Sequence, residues 1–118
     1  MRMAISTFKL ERKLFKAQSA KRKAEHRFLI FTMQREYFGK AGIAIPDNLE
    51  IPGDAVLIFS QFAEIEKEGV LGLSYRERDE LSGVLDVFIE RFGEIEQAYI
   101  AAFDTLHAIW EKRFGSNL

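Results

Sequence analysis

Residues 81–109, LSGVLDVFIERFGEIEQAYIAAFDTLHAI, place apolar side chains at Leu81, Leu85, Phe88, Phe92, Ile95, Tyr99, Ala102, Leu106 and Ile109. The spacing alternates between four and three without a break. That rhythm marks one face of a long amphipathic helix packed lengthwise against another helix. Ser74, with Glu77 three residues later, has capping-box spacing and opens the helix, which runs from about residue 75 to 114. Such a helix spans roughly 60 Å at 1.5 Å per residue. Gly83 and Gly93 lie inside it, each at a cost of about 1 kcal/mol relative to alanine. The seam keeps its phase through both, so one helix is expected, with Gly93 as the place for any bend.

A helix of that length needs a partner, and residues from about 5 to 38 supply one. Met3, Leu10, Ala17, Ala24, Phe31 and Phe38 recur every seven residues, with Leu14 and Phe28 on the neighbouring row. Gly39 and Gly42 end the helix. Ala17, Ala20 and Ala24 are small where Phe92, Ile95 and Tyr99 are large. This suggests that the two long helices face each other as an antiparallel pair with interdigitating side chains.

Between them, residues 39–53 contain both prolines, Pro46 and Pro52, and alternate apolar residues around Pro46-Asp47-Asn48. Two three-residue strands are marginal alone, so an extended flap is expected rather than a hairpin. Asp54 is a good N-cap for a short helix over 54–68 that ends at Gly69. The run Ala55-Val56-Leu57-Ile58-Phe59 is apolar on all sides, which predicts burial on more than one face. The fold class is therefore all-α: an elongated antiparallel helical hairpin plus one short buried helix, in a single domain spanning 1–118.

A two-helix hairpin has only one buried seam, and eleven phenylalanines in 118 residues exceed what one seam covers. Phe8, Phe15 and Leu29 lie beside the seam of the first helix, and Ile89, Phe103 and Trp110 form a second row on the last. A homodimer closing a four-helix core would cover both rows, so Phe8, Phe15, Ile89, Phe103 and Trp110 are the candidate oligomer interface.

Charge is the strongest pattern outside the core. Residues 1–40 hold eleven Lys/Arg against three Asp/Glu, and residues 41–118 hold six against fifteen, although the net charge is only -1. Arg2, Lys9, Lys16 and Lys23 recur every seven residues, flanked by Lys13 and Arg27. These six form a basic stripe about 30 Å long that is the candidate partner-binding surface. Such a stripe can follow phosphates. The sequence shows no exposed aromatics interleaved with it, and the pI of about 6.1 favours neutralisation by acidic protein over nucleic acid. The counterpart is an acidic outer face on the last helix at Glu90, Asp104 and Glu111, with Gln97 between and Glu80 and Glu94 beside them.

No catalytic or ligand-binding signature stands out. With no cysteine, thiolate metal sites, disulfides and cysteine catalysis are excluded. His26 lies among cations and reads as a solvated helix residue. His107 follows Asp104 as Asp-x-x-His, only a fragment of a carboxylate-bridged di-iron motif. It reads as a buried or interfacial histidine oriented by Asp104. A histidine phosphotransfer site would have lysine where Trp110 stands. No metal or cofactor is expected.

The long–short–long layout resembles chorismate mutases, whose intertwined dimers bind a dicarboxylate with arginines and a lysine. The resemblance implies a site containing Arg12, Arg27 and Lys40. The charged Asp/Arg/Glu cluster of that family's short helix is replaced here by Val56-Leu57-Ile58-Phe59. The expected function is thus a non-enzymatic protein–protein interaction module, such as an adaptor, assembly chaperone or inhibitor. A nucleic-acid-associated protein and a small helical enzyme are the alternatives. Lacking a signal peptide or an apolar run of ~18 residues, the chain is expected to be cytoplasmic, away from membranes.

Overall fold

A computed structural model of the chain describes residues 4–115. Three helices make up the fold: α1 (Thr7–Lys40), α2 (Ala55–Glu68) and α3 (Tyr75–Phe114). Helix α1 starts two residues later than the sequence suggests. Ser6 holds the N-cap, its Oγ accepting from the Lys9 backbone N–H. The helix runs through Gly39, and Gly42, at φ +72°, provides the left-handed turn after it. Ser74 and Glu77 form the expected capping box at the start of α3, which is continuous through Gly93. The heptad residues Leu10, Ala17, Ala24, Phe31 and Phe38 are all buried, as are Leu85, Phe92, Ile95, Tyr99, Ala102 and Leu106 of α3. The molecule is a rod of 66 × 23 × 21 Å with a radius of gyration of 18.8 Å. A compact chain of this length would have a radius near ~13–14 Å.

The long helices run parallel, not antiparallel as expected. At one end the Ile5 N–H donates to Asp79 (3.3 Å), and Arg78 Nε donates to the Ile5 carbonyl (3.0 Å). Further along, Lys13 meets Ser82 and Asp86, and Gln34 Nε2 donates to the Phe103 carbonyl (3.2 Å). At the far end the Phe38 and Trp110 rings lie 5.6 Å apart. Residue number thus rises in step along both helices. The cause lies in the connection. Antiparallel helices are joined by loops of about 2–8 residues, whereas residues 41–74 form a segment with a helix of its own. That segment carries the chain back along the rod, and α2 crosses the pair obliquely, from Asp54 beside Arg91 of α3 to Glu66 beside Lys21 of α1.

Helix α2 is fastened to one flank of the α1/α3 pair. Phe62 packs against Phe88 (5.3 Å) and Phe92 (5.2 Å), and Phe59 bridges Phe28 and Phe92. Lys21 sits over the Phe62 ring and pairs with Glu66 at 2.8 Å. The fully buried Ala17 and Ala24 lie at this level of α1, so the small stretch makes room for the aromatic cluster.

Two expectations for this region need correction. Val56 and Leu57 are each 58% exposed, so α2 buries only the stripe of Ala55, Ile58, Phe59 and Phe62. Asp54 stands at the N-cap without a side-chain cap bond, because its carboxylate binds Arg91 instead at 2.6 Å. Residues 43–53 form an extended flap with turns and no strand, tied down where the Tyr99 hydroxyl donates to the Pro52 carbonyl (3.2 Å).

Candidate functional site

Residues seven apart on each helix share a row along the rod, which sorts the surface. The α2 side is defined by Gln18, Lys21 and Phe28 on α1 and by Phe88, Arg91 and Phe92 on α3. The opposite flank carries no third helix. On α1 it holds the rows Lys13–Ala20–Arg27–Gln34 and Lys9–Lys16–Lys23–Ile30–Tyr37. On α3 it holds Ser82–Ile89–Glu96–Phe103–Trp110 and Asp86–Gly93–Ile100–His107–Phe114.

The structure regroups the two sets of candidate residues. Arg2 lies outside the described residues. Lys9, Lys16 and Lys23 are exposed at the edge of the uncovered flank, and none makes an ion pair among the described residues. Lys13 is half-buried, donating to Ser82 (2.8 Å) and pairing with Asp86 (3.0 Å). Arg27 is half-buried on the same flank, again with no ion pair among the described residues. Among the described residues, intrachain neutralisation therefore reaches one member of the stripe, Lys13.

Ile89, Phe103 and Trp110 are half-buried on the uncovered flank, but Phe8 and Phe15 do not join them in one row. They project from the outer face of α1, 67% and 64% exposed, with Leu29 further along at 57%. The sequence reading missed this. The basic residues are interleaved with exposed aromatics, and the Arg12 guanidinium lies 5.9 Å from the Phe8 ring centroid. The legible signal was a second heptad row, Phe8–Phe15–Arg22–Leu29, almost opposite the seam.

Two depressions result. The first, about 770 Å³, runs over the N-terminal half of α1 between Phe8, Arg12, Phe15 and Lys16 and reaches Asp86 and Ile89 on α3. It is open and cationic, and Glu11 and Asp86 contribute two carboxylates. The second, about 330 Å³, lies at the other end of the uncovered flank between Gln34, Tyr37, Phe103, His107 and Trp110. There Gln34 Oε1 is buried without a hydrogen-bond partner. His107 is exposed, stacked on Phe103 and 3.7 Å from Glu111, so Asp104 is not its orienting partner.

The outer residues Glu90, Gln97, Asp104 and Glu111 are exposed as expected, while Glu80 and Glu94 pair with Arg76 and Arg91 of their own helix. Arg12, Arg27 and Lys40 are not brought together: they stand roughly 20 Å apart in succession along α1, with Arg27 on a different row from the other two. No group of three potential metal ligands occurs among the described residues, and none of the helices is long and apolar enough to cross a membrane. No protein family model, curated protein or solved structure matches the chain.

Proposed function

We propose that the chain is a non-enzymatic, cytoplasmic protein–protein interaction module that works as a homodimer. It receives an acidic, partly apolar protein segment on the outer N-terminal half of α1. The observation that carries this is the pair of exposed phenylalanines, Phe8 and Phe15, one heptad apart and flanked by Lys9, Arg12 and Lys16. Apolar anchors at that spacing, about 10 Å apart, match the i, i+7 anchors of a helix laid along a helical groove. The cations around them steer an acidic partner and set its register.

The interleaving of aromatics with cations also favours a second reading, single-stranded nucleic acid stacked on the phenylalanines. Glu11 and Asp86 in the same groove oppose it, because each repels a phosphate backbone and accepts readily from peptide N–H groups. The deciding experiment uses the full chain as bait in nuclease-treated extract, beside Phe8→Ser/Phe15→Ser and Lys9→Gln/Lys16→Gln/Lys23→Gln variants. Retention of an acidic protein by the parent, lost in the double-serine variant at unchanged helicity, is expected. Tight nucleic-acid binding by the parent, with a log–log salt slope that falls by up to about 3 in the triple-glutamine variant, would overturn it in favour of the second reading.

A further inference from the structure

We infer that the flank without α2 is the homodimer interface, and that its two copies meet face to face as a parallel pair about a twofold axis running along the rod. This rests on the self-association proposed above and specifies its surface and geometry. From Lys9 to Tyr37 the flank is roughly 42 Å long at 1.5 Å per residue. With a rod width of 21–23 Å, it offers on the order of 900 Å² per copy, close to the ~800 Å² per partner of a stable complex.

Two observations select the parallel arrangement. A twofold axis along the rod sets α1 of each copy against α3 of the other. Lys16 then stands level with Asp86 and Glu90 of the second copy, and the basic edge meets the acidic one. A twofold axis across the rod sets α1 against α1 instead, bringing the Lys9–Lys16–Lys23 edge onto its own copy. It would also lay the aromatic end, Tyr37, Phe103 and Trp110, over the Lys13–Asp86 pair. The parallel axis keeps apolar on apolar and cation on anion throughout.

The middle of the flank carries the determinant of register. Arg27 and Glu96 stand at the same level, both half-buried, and neither forms an ion pair among the described residues. The parallel axis sets Arg27 of one copy opposite Glu96 of the other, twice over. Buried charges of this kind are the best-attested means of specifying register in packed helices. Gly93 and Ala20, beside them, leave space for the close approach: a Cβ at Gly93 meets nothing within 4 Å in the single chain.

The chain has no cysteine, so single cysteines can carry spin labels without background. Labels go at Glu11 and, separately, at Lys40, both exposed and off the interface. In the parallel dimer each site lies level with its own copy, so neither intermolecular distance has an axial component and both are set by the width of the dimer alone. A centred antiparallel dimer separates both by roughly 44 Å along the axis, the length of 29 residues at 1.5 Å each. A staggered antiparallel dimer leaves at least one of them long. Sedimentation of Arg27→Glu and Glu96→Arg should show each single change weakening the dimer at least about tenfold, and the double exchange restoring it. A parent that stays monomeric at its highest soluble concentration, a long distance at either site, or no rescue in the double variant overturns the inference. A monomer that still retains its protein partner through Phe8 and Phe15 refutes the dimer alone and leaves the partner-binding reading standing.

Discussion

Phe62→Ala tests whether α2 is fastened to the long helices by one wedge. The Phe62 side chain is fully buried, packed on Phe88 and Phe92, and capped by the Lys21 ammonium 5.6 Å from its ring centroid. A phenylalanine carries about 200 Å² of surface, which at about 25 cal/mol per Å² amounts to roughly 5 kcal/mol as an upper bound. Large-to-small changes of this kind measure about 3–5 kcal/mol, cavity included. A chain of this length has a total stability of roughly 6–18 kcal/mol, so the variant should lose a sixth to most of it. Urea unfolding followed by circular dichroism gives the loss. Phe15→Ala is the control, since its 64% exposure limits the loss to under about 1 kcal/mol. Equal losses in the two variants, or a loss under about 1 kcal/mol for Phe62→Ala, would refute the wedge.

Other consequences follow from the caps, the topology and the titrating groups. Ser74→Ala removes the capping box of α3 and should destabilise by about 0.5–2 kcal/mol in the same urea assay. Gly83→Ala should stabilise by up to about 1 kcal/mol, since the position is helical and exposed and nothing lies within 4 Å of the added Cβ. Spin labels at Glu11 and Glu80 within one chain should lie close together, because residue 11 is level with about residue 83. An antiparallel pair would place them near opposite ends of the rod. The Asp54 carboxyl is held below its ordinary range by the hydrogen bond from Arg91, and that of Glu77 by the backbone N–H of Ser74. Both contribute stability that is present at neutral pH and lost as acid protonates them, so the thermal midpoint should begin to fall below about pH 4–5. The Tyr99 hydroxyl is pushed above 10 by burial. The folded state therefore holds its proton longer than the unfolded one, and stability should also decline as pH rises beyond that value.

Periodicity made the elements legible and left their direction open. The four–three rhythm from Leu81 to Ile109 and the sevenfold series from Leu10 to Phe38 identified every buried position on the two long helices, Tyr99 and Ala102 included. Such a seam has no polarity, because apolar rows match equally well in either direction. The information about direction lay in the connection: 34 residues with their own helix make a return crossing rather than a turn. Phe8 and Phe15 were harder to place for a related reason. A phenylalanine on a helix counts as core until the seam's angular position is compared with its own, and that comparison puts them on the far side. Val56 and Leu57 show the opposite limit, since a locally apolar run says nothing about how many neighbours the fold will supply.

The parallel topology has a consequence for function that an antiparallel hairpin would not have. Because α1 and α3 rise together, the basic N-terminal half of α1 lies beside the N-terminal half of α3, where Asp86 neutralises Lys13 alone. Lys21 pairs with Glu66 of α2; Lys9, Arg12, Lys16, Arg22 and Lys23 form no ion pair among the described residues, and the aromatic groove of Phe103 and Trp110 lies towards the other end of the rod. A parallel dimer through the uncovered flank would then bring two Phe8–Phe15 surfaces to the same end. Two sites on one rigid particle raise the effective concentration of the second contact for any partner long enough to span them. An antiparallel dimer would hold them at opposite ends of the particle, and only a partner much longer than the interface could engage both. Bivalent recognition of this kind would turn on the direction of the long helices, read from the Ile5–Asp79, Lys13–Asp86 and Gln34–Phe103 contacts, because that direction sets the basic edge of α1 level with the acidic edge of α3.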